Sequence, residues 1–141
     1  MGEQFGEIIL TSDDSSCAIL IDPSKKKTTL KTISWDLRLM IQSIGLFRVG
    51  NILKREKVLK NNYPNIPFIH LWYIGVNSDN QGKGVGTKLM QKIIDKYKNE
   101  GLPICLETST KRNFGFYENL GFKEISEINE IGYSIKMYLK N

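Results

Sequence analysis

Residues 81–86 read Gln-Gly-Lys-Gly-Val-Gly and place three glycines between an apolar segment and an amphipathic one. Residues 68–76 have the apolar and aromatic composition of a buried strand, and residues 87–99 repeat apolar side chains with helical spacing. A loop that leads from a strand into a helix directs unpaired backbone N–H groups and the positive end of the helix dipole at one point. The segment therefore predicts an anion-binding site, with a diphosphate as the expected anion.

Two familiar phosphate-binding loops do not fit this spacing. The P-loop requires Lys and then Ser or Thr after its last glycine, whereas Thr87 precedes Lys88 here. The dinucleotide-binding fingerprint has glycines at relative positions one, three and six, while Gly82, Gly84 and Gly86 occupy positions one, three and five. The loop belongs to neither class.

A different pattern, Gln/Arg-x-x-Gly-x-Gly, does match, through Gln81, Gly84 and Gly86. It resembles the loop that wraps the pyrophosphate of coenzyme A in the GNAT superfamily of acyl-CoA-dependent N-acyltransferases. In this interpretation glycine lets the backbone approach the diphosphate without a Cβ in the way, and Lys83 and Lys88 add positive charge nearby.

A second motif follows in the order that the family uses. Residues 113–122 read Asn-Phe-Gly-Phe-Tyr-Glu-Asn-Leu-Gly-Phe, which resembles the family's Asn, Tyr four residues later, and then Leu-Gly-Phe. A spacing of four puts Asn113 and Tyr117 on one helical face, and Gly121 is placed to end that helix in a left-handed turn. The resemblance extends over residues 68–139, about half of the chain.

The resemblance implies an α/β fold with α+β layering, in which helices flank a mixed, twisted β-sheet. We expect residues 1–141 to form one GNAT-like acyltransferase domain, because a chain of this length buries a sufficient core. Further strands are predicted at residues 7–10, 17–21, 104–108, 122–127 and 132–139. Helices are predicted from Ser34 to a break at Gly45, and from there to about Lys60.

The N-terminal region departs from the family pattern. GNAT proteins usually begin with a strand and two helices, whereas only about six residues precede the first strand predicted here, and a long helical segment, residues 30–60, follows the hairpin. Either the chain is a shortened version of a longer protein, or the inserted helices take over the covering role. The missing strand would leave a sheet edge unpaired, so strand exchange or a homodimer is our hypothesis.

The resemblance implies acetyl-CoA as the acyl donor and assigns most of its binding site. Its pantetheine arm is expected to pair with free backbone groups at Ile74 and Val76, like an added strand. Asn113 is interpreted as contacting the cofactor or capping its helix. The complete set of expected cofactor-binding residues is Ile74, Gly75, Val76, Gln81, Gly82, Lys83, Gly84, Val85, Gly86, Thr87, Asn113 and Tyr117.

Transfer of an acyl group from a thioester to an amine needs a proton for the departing thiolate and a route for the amine proton. Tyr117 is the candidate general acid, since an ordinary phenol, with a pKa of about 10, can protonate a thiolate whose conjugate acid lies near 8.5. His70, the single histidine, and Glu107 are rival candidates for the base. A chain of ordered water is the third alternative.

Other function classes receive little support. Cys17 and Cys105 lie in apolar strands and are interpreted as reduced structural thiols, and together with one histidine they cannot form an ordinary zinc site, so we expect no metal. A net charge of +5 suits a polyanionic cofactor as well as nucleic acid, which we do not expect as a partner. No signal peptide or membrane span is evident, so a cytoplasmic protein is expected.

The sequence thus predicts an N-acetyltransferase that moves an acetyl group from acetyl-CoA directly to a primary amine. A small-molecule amine is favoured over a protein as the acceptor. The alternative is a non-catalytic acyl-CoA-binding or regulatory module, which would keep the glycine loop and lose turnover.

Overall fold

A computed structural model describes residues 6–11, 14–25 and 46–141. Six strands form one sheet in the order β1-β2-β3-β4-β6-β5. The strands are β1 (Gly6–Leu10), β2 (Ser16–Ile21), β3 (Ile69–Val76), β4 (Ile104–Thr108), β5 (Lys123–Ile128) and β6 (Ile135–Lys140). The helices are α1 (Leu46–Asn62), α2 (Val85–Asn99) and α3 (Phe114–Asn119), and 3₁₀ turns lie at Pro23–Lys25, Ser78–Asn80 and Lys111–Asn113.

The sheet is mixed, because β3 and β4 are parallel and every other neighbouring pair is antiparallel. The β3–β4 ladder contains only two pairs, Ile69 with Ile104 and His70 with Cys105. Beyond His70 the two strands part, so the backbone of residues 71–76 has no ladder partner on β4. The sheet is therefore continuous at Ile69 and His70, and it is split between β3 and β4 beyond His70.

A β-bulge lies next to the start of this split. Leu20 of β2 faces Leu71 and its neighbour Ile19 faces Tyr73, so Trp72 is the extra residue on β3. A bulge bends its strand and increases the local twist. The bend at Trp72 is thus placed to turn the C-terminal half of β3 away from β4.

Hydrophobic cores cover both faces of the sheet. On the first face, α2 buries five side chains at helical spacing, Leu89, Met90, Ile93, Ile94 and Tyr97. They pack with alternate residues of β2, β3 and β4 and with Tyr117 of α3. On the second face, Leu59 of α1 packs with Phe68, Cys105 and Met137. Helix α1 therefore covers part of the second face.

Glycine ends both helices of the first face. Gly101 and Gly121 have φ values of +69° and +82°. After α3, the Phe122 N–H donates to the Tyr117 carbonyl and the Gly121 N–H donates to the Glu118 carbonyl, at 3.1 and 2.9 Å. This double hydrogen bond is the Schellman motif. The predicted left-handed turn at Gly121 is confirmed.

The expected α/β fold is confirmed, with small shifts of element bounds. Helix α2 begins at Val85, two residues before the predicted start, because the chain already enters helical geometry after Gly84. The helix predicted from Ser34 lies outside the described residues. Within the described part of the chain, the outer edge of β1 has no strand partner, and Ile8 and Leu10 are 67% and 61% exposed.

Candidate functional site

A groove of about 760 Å³ opens at the end of β3 where the sheet is split. The end of β3, the glycine loop with the start of α2, and helix α3 with its preceding turn form its walls. Its lining residues are Tyr73, Ile74, Gly75, Val76, Asn80, Gln81, Gly82, Gly84, Val85, Gly86, Thr87, Arg112, Asn113, Phe116 and Tyr117. The structure thus brings the two sequence motifs to one surface.

The three glycines of the loop are needed for two different reasons. Gly82 and Gly84 have φ values of +74° and +77°, and a Cβ at either position would meet no atom within 4 Å. Their backbone conformation, rather than lack of space, favours glycine there. At Gly86 a Cβ would lie 3.3 Å from Cγ2 of Val76, so this glycine permits close packing of α2 against β3. Of the three, Gly82 and Gly84 border open space.

Backbone N–H groups at the start of α2 remain available to a ligand. The first helical hydrogen bond runs from the Lys88 N–H to the Gly84 carbonyl at 3.0 Å. The N–H groups of Val85, Gly86 and Thr87 therefore have no acceptor within the helix. The Gln81 side-chain amide donates to the Val76 carbonyl at 3.1 Å and ties the loop to the end of β3. The arrangement suits an anion.

The basic side chain in the groove is neither of the two that the sequence suggested. Arg112 lines the groove, whereas Lys83 and Lys88 are exposed and are absent from its lining. The direction of a side chain on a loop depends on φ, and the positive φ values on both sides of Lys83 could not be assigned from composition. Arg112 could have been proposed from its place directly before Asn113, in the turn that begins the second motif.

Tyr117 brings a hydroxyl group to the groove from a buried ring. The residue is 5% exposed and packs edge-on against Phe116 and Phe122. Among the described residues its hydroxyl has no hydrogen-bond partner and is not fully buried, and the residue lines the groove. Burial raises the pKa of Tyr117. The phenol therefore keeps its proton well into the alkaline range.

Asn113 precedes α3 in the N-cap position, but its side chain makes no capping hydrogen bond. It lines the groove, four residues before Tyr117. Of the two roles considered for Asn113, side-chain capping is wrong because the bond is missing. Contact with a ligand stays a prediction.

His70 and Glu107, two rival candidates in the sequence, form one pair. The His70 Nε2 atom lies 2.7 Å from the Glu107 Oε2 atom, and the two side chains are 10% and 13% exposed. Both residues lie on the second face of the sheet, where the His70 ring packs against Tyr63 with centroids 5.5 Å apart. Neither side chain lines the groove, so the structure does not bring them together with Tyr117.

The groove wall at β3 is partly aromatic. The Tyr73 ring lies over Gly75, where a Cβ would come within 2.8 Å of the Tyr73 hydroxyl. Tyr73 and its neighbour Trp72 are 52% and 62% exposed. Sequence reasoning had assigned both residues to the apolar strand, and the bulge that exposes them depends on the register between two strands.

A comparison with known protein families shows which family has this fold and these motifs. The family model described as an acetyltransferase (GNAT) domain matches residues 43–124, more than half of the 141 residues. The chain belongs to the GNAT acetyltransferase family. The matched range includes the glycine loop and the Asn113-to-Gly121 motif, and both segments contribute residues to the groove.

A curated relative of this GNAT protein is an uncharacterized N-acetyltransferase of Schizosaccharomyces pombe. The two sequences are 46% identical over 56 residues, which cover 38% of this chain and 23% of the relative. The match thus spans less than a quarter of the relative's length.

Solved structures of other GNAT proteins share the fold. The polyamine N-acetyltransferase of Drosophila melanogaster has a TM-score of 0.62 at 12% identity, covering 90% of this chain and 69% of that one. A Corynebacterium glutamicum structure named histone acetyltransferase HPA2 and related acetyltransferase has a TM-score of 0.60 at 20% identity, with coverages of 97% and 65%. The ribosomal-protein-S18-alanine N-acetyltransferase of Escherichia coli has a TM-score of 0.56 at 15% identity, with coverages of 98% and 70%.

Two kinds of feature are absent from the described ranges, 6–11, 14–25 and 46–141. No group of three or more His, Cys, Asp or Glu side chains there is arranged to hold a metal ion. No helix in those ranges has the length and apolar character needed to cross a membrane.

Proposed function

We propose that this GNAT protein transfers an acetyl group from acetyl-CoA directly to a primary amine, as a single-domain enzyme. The observation that carries the proposal is the groove, where free N–H groups of α2, the unpaired edge of β3 and the Tyr117 hydroxyl face the same space. The N–H groups suit a diphosphate, the strand edge suits an amide chain, and the hydroxyl is a proton donor.

The loop residues Gly82 to Thr87 would hold the pyrophosphate of acetyl-CoA through backbone N–H groups, with Arg112 adding positive charge. The amides of the pantetheine arm would pair with β3 at Ile74 and Val76, where no ladder to β4 competes. The Val76 carbonyl already accepts a bond from Gln81, so its N–H is the freer group. Asn113, which has no capping bond, is available to the ligand.

The proposed chemistry forms one C–N bond and breaks one C–S bond. The neutral amine attacks the thioester carbonyl carbon, and the electron pair of the C–S bond leaves with sulfur. Tyr117 gives its hydroxyl proton to that sulfur, and burial, which raises the pKa of the phenol, keeps it protonated before the transfer. The proton released by the amine passes to a base and returns through solvent to the Tyr117 oxygen, which balances the reaction.

We favour a small-molecule amine over a protein as the acceptor. A polyamine and a ribosomal protein's alanine are named for two of the fold neighbours, and both classes belong in the acceptor screen. The unpaired edge of β1, within the described part of the chain, and its exposed Ile8 and Leu10 support a homodimer. No nucleic acid or membrane partner is included in the proposal.

The test combines ligand binding with turnover. Acetyl-CoA at about 100 times its dissociation constant should raise the stability of the folded protein by roughly 2.7 kcal/mol. A panel with a polyamine, an arylalkylamine and an alanine-terminated peptide is then screened for release of free thiol from acetyl-CoA. Thiol release with at least one amine, lost in Tyr117→Phe, is the expected result.

The alternative, a non-catalytic acyl-CoA-binding module, gives a different pattern. It predicts the same stabilisation by acetyl-CoA in the wild type and in Tyr117→Phe, with no thiol release by any amine. No stabilisation of the folded protein by acetyl-CoA would contradict both proposals.

A further inference from the structure

The bulge in β3 displays two consecutive aromatic side chains on the second face of the sheet. Leu71 and Ile74 both pack with the core of the first face, although side chains three positions apart on a regular strand point to opposite faces. The extra residue of the bulge accounts for this, because β2 places only Ile19 opposite Trp72 and Tyr73. The two rings therefore project from the second face, where the residues are 62% and 52% exposed.

This aromatic pair, Trp72 and Tyr73, adjoins the groove proposed for acetyl-CoA. Tyr73 lines the groove together with Tyr117, the candidate acid. It directly precedes Ile74, whose backbone is assigned to the pantetheine arm, and its ring lies over Gly75, another lining residue. A molecule that rests against Tyr73 therefore occupies the same groove as the proposed donor.

The described lining of the groove carries a single formal charge. Arg112 is its one charged side chain among the residues that the structure describes, and none of those lining residues is an Asp or a Glu. The Glu107 carboxylate lies outside the groove, where it is 2.7 Å from the imidazole of His70. An ammonium group held in the groove would thus have no carboxylate partner, and desolvating a charge without a partner is costly.

The surface around the aromatic pair is uncharged as well. On β2, Ile19 lies opposite the pair and Cys17 lies opposite Gly75, and both are half-buried. Their ladder partners on β1 are Ile8 and Leu10, which are exposed. As far as the structure describes it, this part of the second face offers apolar contact to a ligand and no ionic contact.

We propose that Trp72 and Tyr73 form the acceptor subsite, and that this subsite selects a primary amine carried on an aromatic body over a polyamine. The proposal rests on the acetyl transfer proposed above. Aromatic rings attract one another in edge-on and offset arrangements, so two exposed rings favour an arylalkylamine over an alkylamine. The lack of a carboxylate in the described lining disfavours a second ammonium group.

Three amines separate the two parts of this selectivity. Phenylethylamine has an aromatic ring, butylamine has an alkyl chain only, and putrescine adds a second amino group to the chain of butylamine. The value of kcat/KM should be at least about 10-fold higher for phenylethylamine than for butylamine. It should be lower for putrescine than for butylamine. A putrescine value equal to or above the phenylethylamine value would overturn the acceptor class.

Substitutions assign the selectivity to the aromatic pair. Trp72→Ala and Tyr73→Ala should each lower kcat/KM for phenylethylamine by about 10-fold, with butylamine within about 2-fold of the wild type and KM for acetyl-CoA unchanged. Trp72→Phe and Tyr73→Phe keep a ring and should recover most of the loss. Tyr73→Glu adds a carboxylate to the groove and should raise kcat/KM for putrescine relative to butylamine. An equal loss for all three amines in the alanine variants would overturn the subsite.

Tyr133 supplies the matched control. It is 48% exposed, close to the value for Tyr73, and it does not line the groove. Tyr133→Ala should leave the ratios among the three amines unchanged. A loss confined to phenylethylamine in this variant would contradict a local effect of the aromatic pair.

Fluorescence tests the subsite without turnover, and it separates the two levels of proposal. The chain has two tryptophans, so Trp35→Phe leaves Trp72 alone. With coenzyme A bound, phenylethylamine should change the Trp72 emission, and an unchanged emission would overturn the subsite. Changed emission without thiol release from acetyl-CoA by any amine would overturn acetyl transfer and keep the subsite. Thiol release with putrescine as the preferred amine would overturn the acceptor class and leave acetyl transfer standing.

Discussion

Gly84 offers a direct test of the loop that forms the candidate diphosphate site. Its φ of +77° lies in the left-handed region, and a Cβ there would meet no atom within 4 Å. Gly84→Ala therefore changes backbone strain and almost nothing else. The left-handed conformation costs an L-residue about 1–2 kcal/mol, which is the expected loss in the free energy of unfolding. With an unfolding entropy of about 2.1 cal/mol/K per residue, a chain of 141 residues should lose about 3–7 °C in Tm.

The backbone strain at residue 84 can also lower the affinity for acetyl-CoA. If the alanine of the Gly84→Ala variant keeps the left-handed conformation, stability falls and the affinity for acetyl-CoA stays near the wild-type value. If the loop relaxes instead, the ligand must restore it, and the dissociation constant rises by up to about 30-fold, the equivalent of about 2 kcal/mol. Calorimetry and thermal unfolding, with and without acetyl-CoA, measure the two losses separately.

Gly50 supplies the matched control. It lies within α1, is exposed, and a Cβ there would also meet nothing within 4 Å. Gly50→Ala should stabilise the protein by about 0.5–1 kcal/mol, because alanine is the better helix former. Gly84→Ala with unchanged stability and unchanged affinity would refute the reasoning, since it would mean that residue 84 is not left-handed in solution.

Three other outcomes are expected. Tyr117→Phe should lower kcat by about 10²-fold or more with little change in KM for acetyl-CoA. The wild-type rate should hold at alkaline pH, because burial raises the pKa of the Tyr117 phenol. An early alkaline decline in the steady-state rate would count against Tyr117 as the acid. Burial raises the pKa of Cys105 to about 12, so between about pH 9 and 12 the folded state keeps a proton that the unfolded state loses. The unfolding free energy should therefore fall by roughly 4 kcal/mol over that range. Urea titrations should give a flatter decline for Cys105→Ala. Sedimentation of the wild type should reveal concentration-dependent dimers that Ile8→Lys abolishes, and a wild type that stays monomeric at high concentration would remove the β1-edge dimer.

Local patterns in the sequence were sufficient for much of the fold. The strand that ends at Val76, the helix that follows the glycine loop and the turn at Gly121 depend on neighbouring residues, and each lies within two residues of its predicted bounds. Gly86 is the instructive exception among the loop glycines. Its contact with Val76 involves two elements that meet only in the folded chain, so its packing role had no local signal.

The arrangement of the site depended on register, which no single segment contains. The bulge at Trp72 is a property of β2 and β3 together. Likewise, His70 and Glu107 are separated by 37 positions, and their spacing becomes a 2.7 Å contact only because β3 and β4 are adjacent and parallel. Sequence reasoning identified both residues but treated them as competitors, since it had no means of placing one beside the other.

The short β3–β4 ladder divides the sheet into two three-stranded antiparallel halves, β1-β2-β3 and β4-β6-β5, that share a seam of two residue pairs. Beyond that seam β3 is paired with β2 on one side only, so its amide hydrogens that point towards β4 should exchange with solvent faster than those of β2. A peptide-like ligand that pairs with β3 would slow this exchange and couple the halves. Such a ligand would act as an additional strand between β3 and β4. The force needed to separate the two halves of the sheet should then be higher with the ligand bound than without it.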